Sequence, residues 1–245
     1  MRWLEAELGG AHAAFTTRLG GVSDAPFDSL NLGVLTDDQV ENVVENRRCL
    51  AAALGRDPDG IVFARQVHSA ELVTHSGPQR RAFVPDSGNK AQRFVDPPEA
   101  DGHIVHDPGL TPLVFVADCL PVALSGPGGV AMLHCGWRGL AAGIVTRGAE
   151  AVGATDAAIG PGIGPCCYEV GREVLDAFEG LGDGIAAGRM LDLPEVARRM
   201  LRDAGVGGIE SADLCTGCNA ELFFSHRRDA GRTGRQAGLA WIEGA

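Results

Sequence analysis

Cys119 and His134 are the first pair in this sequence whose types and spacing could do chemistry together. The extended run Thr111 to Ser125, then Gly126-Pro127-Gly128-Gly129, then Val130 to His134, reads as two strands joined by a turn. If Gly126 to Gly129 form the loop, the strand partner of His134 lies near Pro121. That proline cannot donate to a ladder, so it points to an edge or a bulge. Cys119, two residues away, then shares a face with His134 on the diagonal. Diagonal neighbours across an antiparallel pair lie about 7–8 Å apart, within reach of one metal ion. A thiolate and an imidazole so placed can ligate zinc or form a Cys–His nucleophile pair. A catalytic zinc needs a third ligand, and His68 in Arg65-Gln66-Val67-His68, after the strand-like run Ile61 to Ala64, is a candidate. A buried Cys and a hydrogen-bonded core His are the commoner fate of such residues, so spacing alone leaves both readings open.

The remaining chemistry-bearing groups are more ambiguous. Cys215-Thr216-Gly217-Cys218 is half of a zinc ribbon without a second CxxC. Cys166-Cys167 is a poor substitute, since adjacent side chains do not easily face one ion, so the CxxC reads as structural. The zinc deaminase signature, His-x-Glu with Pro-Cys-x-x-Cys, is absent. Four Arg fall in the ten residues His226 to Arg235, either an anion-recognition loop or an ion-paired structural corner. Arg138 is the better candidate for an anion, because it precedes a helical stretch beside two glycines that let backbone N–H groups approach a ligand. Arg47 is anomalous, lying on the apolar face of a helix. Either its stem packs while its head snorkels to water, or the helix delivers a guanidinium into a site.

The clearest helix among the elements that must hold these residues spans about Asp37 to Leu54. Thr36 with Gln39 has the spacing of a capping box, and Gly55 fits the C′ position. Val40, Val43, Val44, Leu50, Ala51 and Leu54 share its apolar face. Further helices are expected over Leu140 to Val152 and Pro194 to Ala204. The polar stretch His75 to Pro98 reads as a long excursion between strand-like runs. Strands and helices mix without regular βαβ spacing, which predicts an α+β fold in one domain over 1–245.

Composition narrows the function classes. The chain has 245 residues and a formal net charge of -11; Lys90 is the one lysine, so twenty of its 21 basic residues are Arg. Such acidity disfavours a nucleic-acid partner. The apolar window Leu110 to Leu124 contains Asp118 and two prolines, so it cannot be a membrane span. Seven Cys with no mini-protein framework, and acids near the N-terminus, predict a reducing, cytoplasmic setting.

Taken together, nine segments resemble one family. They include Thr16-Thr17-Arg18-Leu19-Gly20-Gly21-Val22-Ser23, Ser29-Leu30-Asn31-Leu32-Gly33, Glu45-Asn46-Arg47, Arg65-Gln66-Val67-His68 and Ala100-Asp101-Gly102. Ala117-Asp118-Cys119-Leu120-Pro121-Val122, His134-Cys135-Gly136-Trp137-Arg138-Gly139, Cys167-Tyr168-Glu169-Val170-Gly171 and Phe223-Phe224-Ser225-His226-Arg227-Arg228-Asp229 complete the set. The sequence is thereby similar to the YfiH-type laccase-domain family, once labelled multicopper polyphenol oxidase. The resemblance implies a mixed α+β sandwich of sheets flanked by helices. It implies one zinc ion held by His68, Cys119 and His134. It also implies a purine nucleoside enzyme that cleaves adenosine, inosine, guanosine and S-methyl-5'-thioadenosine with phosphate and deaminates adenosine. Editing of wrongly built peptidoglycan precursors is a separate role suggested for bacterial relatives. Cys135 departs from the resemblance, where relatives commonly have Ala; strand alternation should turn it away from the metal.

The older label can be tested by counting. A multicopper oxidase holds its copper cluster with several His-x-His pairs, and the seven His of this chain include none. The expected reading is therefore an open two-His, one-Cys zinc site with catalytic roles for Cys119 and His134, and with Arg47 and Arg138 gripping phosphate. Its partners would be purine nucleosides and phosphate, and its assembly a monomer. The main rival is a metal-free hydrolase with Cys119 as nucleophile and His134 as base. A non-enzymatic metal-binding protein ranks last.

Overall fold

The computed structural model describes residues 1–80, 82–84 and 98–244. Most of the expected His75 to Pro98 excursion lies outside the described residues. Strands β1 (Trp3–Glu7) and β2 (Ala11–Thr16) come first, followed by helix α1 (Val40–Leu54), β3 (Ile61–Val62) and β4 (Leu72–His75). Next come β5 (Gly102–Val105), β6 (Thr111–Val116), β7 (Leu120–Gly126) and β8 (Gly129–Cys135), leading into α2 (Trp137–Ala141) and α3 (Ile144–Val152). Then follow β9 (Asp156–Ile159), α4 (Arg172–Asp176), the short pair β10 (Ala186–Ala187) and β11 (Met190–Leu191), α5 (Leu193–Asp203), β12 (Gly208–Ser211) and β13 (Gln236–Ile242).

Two mixed sheets dominate, in the orders β1-β2-β13-β6-β3 and β12-β9-β7-β8-β5-β4. The alternation of side chains along each strand sorts the apolar residues into three layers. Phe15, Val114, Val116 and Ala240 of the first sheet meet Ala123, Val130 and Met132 of the second in a shared core. The opposite faces of β7 and β8, with Val122, Leu124, Ala131 and Leu133, are covered by Ile144 and Val145 of α3 and Val196 and Leu201 of α5. Leu113, Ala237 and Leu239 turn the other way, against Leu50 and Ala51 of α1. The result is the expected α+β class: a sandwich of two sheets with helices on both outer faces. Among the described residues, no helix is long and apolar enough to cross a membrane.

The expected hairpin forms, and its register pairs His134 with Pro121. Only the two-residue turn Pro127-Gly128 separates the last pair, Gly126 and Gly129. Pro121 sits neither at a sheet edge nor in a bulge. It is the second residue of β7, and the ladder to β9 begins one residue later at Val122, so its missing N–H falls where that ladder has not started.

Helix boundaries differ from expectation in two places. Helix α1 starts at Val40, with Gln39 capping by backbone alone. Thr36 is not its cap, because its hydroxyl donates to the Gly33 carbonyl at 2.8 Å and accepts from Asn31. Gly55 ends α1 in the left-handed conformation, as expected. The stretch after His134 is two helices, broken at Gly143 with φ of 85°. In α5, Asp192 caps the N-terminus by accepting from the Glu195 N–H.

Gly238 sets the spacing of the two sheets. A Cβ there would lie 2.5 Å from Pro121 Cβ and 3.2 Å from the Met132 sulfur. Gly238→Val is expected to force the sheets apart beside the hairpin and to cost about 1–3 kcal/mol of stability, read by urea denaturation. An unchanged midpoint would show that the sheets tolerate separation there.

Candidate metal centre

Asp101, immediately before β5, is where this region is organised. Its carboxylate is fully buried. It accepts from the backbone N–H groups of Val67 (3.1 Å), His68 (3.0 Å) and Ser69 (2.6 Å), and from the Ser69 hydroxyl (2.9 Å). Three successive N–H groups can converge on one carboxylate only if the chain curls around it, and His68 accordingly has a φ of 60°. The same carboxylate accepts from His134 Nδ1 at 2.8 Å. A carboxylate cannot donate, so Nδ1 carries a proton, and Nε2, on the opposite side of the ring, is the nitrogen that a metal would take.

His134 ends the even-numbered face of β8, in line with Val130 and Met132. Cys135 continues the other face into the helix-covered core, where burial pushes its thiol pKa up. Cys119 is not on the strand, as the diagonal reading required. It occupies the turn between β6 and β7, after Asp118 at φ 93°. Asp118 is tied down by the Thr216 hydroxyl (2.6 Å), the Arg227 N–H (2.7 Å) and, on its carbonyl, the Ile163 N–H (2.7 Å). Gly136, just past β8, leaves room for the sulfur, since a Cβ there would sit 2.9 Å from Cys119 Sγ.

The structure thus gathers the three expected ligands from three elements. The donor atoms of His68, Cys119 and His134 lie within 4.8 Å of one another, and the two imidazole rings stand 4.8 Å apart at 68°. Burial pushes the Cys119 thiol up, yet the positive His134 ring and hydrogen bonds from both imidazoles outweigh it and bring the pKa to about 6. For His134, burial disfavours the charge, but the Cys119 thiolate and the Asp101 hydrogen bond win and raise it to about 9. Burial also penalises the Asp101 carboxylate, which is nonetheless held well below the usual carboxylate range by His134 and Ser69. Two imidazole nitrogens, a stabilised thiolate and a carboxylate behind one imidazole form a donor set suited to zinc. His134 is buried, Cys119 half-buried and His68 exposed, so the set opens toward solvent on the His68 side.

Around this centre, Arg138 is exposed in the first turn of α2 and stacks on Trp137. The Arg-rich segment divides between its two readings. Arg228 is a structural brace, bonded to Asp229 and to the carbonyls of Thr216 and Phe223. Arg227 is exposed and lies over the Tyr168 ring at 5.3 Å. Burial, followed by the negative charge of Cys119, pushes the Tyr168 hydroxyl up to about 12, against the pull of Arg227 and Arg138. Tyr168 and Arg227 carried no signal of their own in the sequence beyond membership of shared motifs. The same holds for Asp101, whose role appears only once distant segments meet.

The expectation that Arg47 grips phosphate does not suit its place. It neither snorkels nor reaches solvent: it is wholly buried, it donates to the carbonyls of Leu32 (2.9 Å) and Phe83 (3.2 Å), and it packs among Phe63, Phe83 and Phe115. The reading of the cysteines also needs correction. Cys166 and Cys167 do face the same point as Cys215 and Cys218, with all four sulfurs within 4.8 Å of one another.

The sequence and the fold both have counterparts among known proteins. The family described as multi-copper polyphenol oxidoreductase laccase matches residues 12–243. The chain is 38% identical to the purine nucleoside phosphorylase YlmD of Geobacillus stearothermophilus, over 95% of this chain and 90% of the relative. It is 36% identical to the purine nucleoside phosphorylase YfiH of Escherichia coli, over 95% and 94%. The solved structure of YlmD from Geobacillus stearothermophilus matches with a TM-score of 0.86 at 35% identity, covering 100% of this chain and 97% of that one. The hypothetical protein YfiH of Bacillus licheniformis matches with a TM-score of 0.84 at 34% identity, covering 95% and 93%.

Asp101→Asn keeps the shape but removes the charge behind His134. It is expected to weaken zinc binding by about 10–100-fold, measured by competition with a chromophoric chelator. In protein stripped of metal, alkylation of Cys119, followed by peptide mass spectrometry, is expected to rise to half its plateau near pH 6. Because the positive His134 ring holds the thiol down, His134→Asn should move that midpoint to higher pH. A midpoint that stays put would mean that another group stabilises the thiolate.

Proposed function

The chain belongs to the multi-copper polyphenol oxidoreductase laccase family, that of YfiH and YlmD, and we propose that within it this protein is a zinc-dependent purine nucleoside phosphorylase. The observation that carries this reading is the convergence of His68, Cys119 and His134 on one point, with Asp101 behind it and Arg138 and Arg227 beside it. The two relatives named purine nucleoside phosphorylase support the reaction class. The proposed substrates are adenosine, inosine, guanosine and S-methyl-5'-thioadenosine with phosphate, and adenosine with water, which gives inosine and ammonia.

When bound, zinc supplies a Lewis acid at the open side of the centre. The chain's own groups do the rest. Asp101 fixes the His134 tautomer and, through Val67, His68 and Ser69, the turn that carries the second imidazole. In phosphorolysis a phosphate oxygen bonds to the ribose C1′ as the bond from C1′ to the purine breaks, so an anion must be held against an electron-poor sugar. Arg138, exposed, and Arg227, exposed and donating to the Glu169 carbonyl at 2.8 Å, are the cations proposed to hold that anion. Tyr168 stays a neutral phenol at working pH and can donate to it. Arg47 takes no part in this scheme; its guanidinium holds the Leu32 and Phe83 carbonyls beneath α1.

One observation favours a second reading. A thiol brought to about 6 beside an imidazole raised to about 9 is also an activated nucleophile pair, as a Cys–His amide hydrolase would need; a cell-wall precursor is the substrate considered for that reading. The laccase reading has no such support: the sequence contains no His-x-His pair, and the site gathers two imidazoles and one thiolate.

Incubation with adenosine, with and without phosphate, separates these readings. Adenine formed only with phosphate is the expected result, with inosine from the slower or faster water reaction. Chelation of zinc is expected to abolish both, and added zinc to restore them. Neither product at high enzyme concentration would sink the purine assignment, and activity that survives complete zinc removal would favour the hydrolase. Arg138→Ala is expected to raise the KM for phosphate about 10–100-fold with little change for adenosine, the loss of one charge-assisted contact. Equal losses for both substrates would remove Arg138 from the phosphate site.

A further inference from the structure

Four of the seven cysteines lie together outside the candidate centre. Cys166 and Cys167 come from the loop after β9, and Cys215 and Cys218 from the loop after β12. We propose that these four sulfurs bind a second metal ion, a zinc held by four thiolates, which pins the two loops together. This proposal is independent of the purine reading.

The geometry suits a single ion. A zinc–sulfur distance of about 2.3 Å in a tetrahedron places the sulfurs about 3.8 Å apart. Here Cys218 Sγ lies 3.3 Å from Cys166 Sγ and 3.4 Å from Cys167 Sγ, and the whole set spans no more than 4.8 Å. A cluster of several irons would need its sulfurs spread more widely. All four cysteines are free, and four soft thiolates select zinc over hard cations. Adjacent cysteines can share the site because they are not on a strand. Residues 165–167 form a turn, closed by the N–H groups of Cys167 and Tyr168 on the Gly164 carbonyl, so successive side chains no longer point to opposite faces.

The surroundings are built for sulfur. The Gly164 N–H donates to Cys215 Sγ at 3.2 Å. Gly217, inside the CxxC, is where a Cβ would lie 3.0 Å from Cys167 Sγ. A backbone bridge between Gly162 and Cys215 and the Thr216 N–H on the Gly162 carbonyl (2.9 Å) hold the loops in register. Binding would displace the thiol protons to water and lock residues 214–219, whose Thr216 hydroxyl holds Asp118 next to Cys119.

The test is the zinc content of protein purified from zinc-supplied cells under reducing conditions, after unfolding and chelator titration. Two zinc ions per chain are expected. Cys119→Ala should lose one, and the Cys166→Ser/Cys218→Ser pair should lose the other while the first remains. Cys49→Ser, outside both sets, should keep two. If the paired variant fails to fold, cobalt loading of Cys119→Ala serves instead, and intense sulfur-to-cobalt absorption is expected. One ion per chain that disappears entirely in Cys119→Ala, no such absorption, or four thiols recovered as two disulfides without metal would each overturn the proposal.

Discussion

A single buried carboxylate, Asp101, is the constraint on which the candidate centre depends. It sits at the mouth of the sandwich, out of water, and is stable as an anion only because five donors surround it. Three of those donors are successive backbone N–H groups, and they bend the chain into the turn that presents His68. Another is the imidazole of His134. Both imidazole arms therefore hang from one charge. Removing a donor leaves the anion less compensated, and removing the anion frees a turn in a conformation that non-glycine residues avoid.

The sheets explain why this charge can be buried at all. β8 is flanked by β7 and β5 and covered on both faces, so its end is rigid, and the His134 N–H donates to the Asp101 carbonyl at 2.7 Å. The third candidate ligand is held by different means. Cys119 leaves β6 through a turn at Asp118, whose side chain is fixed by Thr216 and by the Arg227 N–H. A ligand on a turn, backed by a buried acid, can sit closer to an imidazole than a diagonal strand neighbour can. The cost is local backbone strain at His68 and Asp118, held in place by hydrogen bonds from distant segments.

What was legible in the sequence follows from this division. The hairpin was readable because turn chemistry and alternation are local, and its register, His134 opposite Pro121, came out as expected. The α+β class was readable for the same reason. Asp101 was not, because nothing near it in sequence distinguishes it from any acid before a strand; its five partners lie in two other segments. Arg47 was visible as an anomaly on an apolar face, but its burial among three phenylalanines depends on how α1 packs, not on its own pattern. Adjacency alone argues against Cys166 and Cys167 facing one ion, but residues 165–167 form a turn, which lets both side chains point the same way.

The two sulfur-bearing regions are also mechanically one. Thr216, between Cys215 and Cys218, is buried and donates to Asp118, while its carbonyl accepts from Arg228. Arg228 in turn holds the segment that offers Arg227 to the open side of the centre. Any rigidity imposed on the CxxC loop therefore reaches both the candidate thiolate ligand and the cation proposed to hold phosphate, through one hydrogen bond in each direction. The same coupling would let a chain of net charge -11 hold the phosphate proposed for it. The overall field is unfavourable, so such an attraction would have to come from a few guanidinium groups held in place, and the loops around Asp118 hold the segment of Arg227.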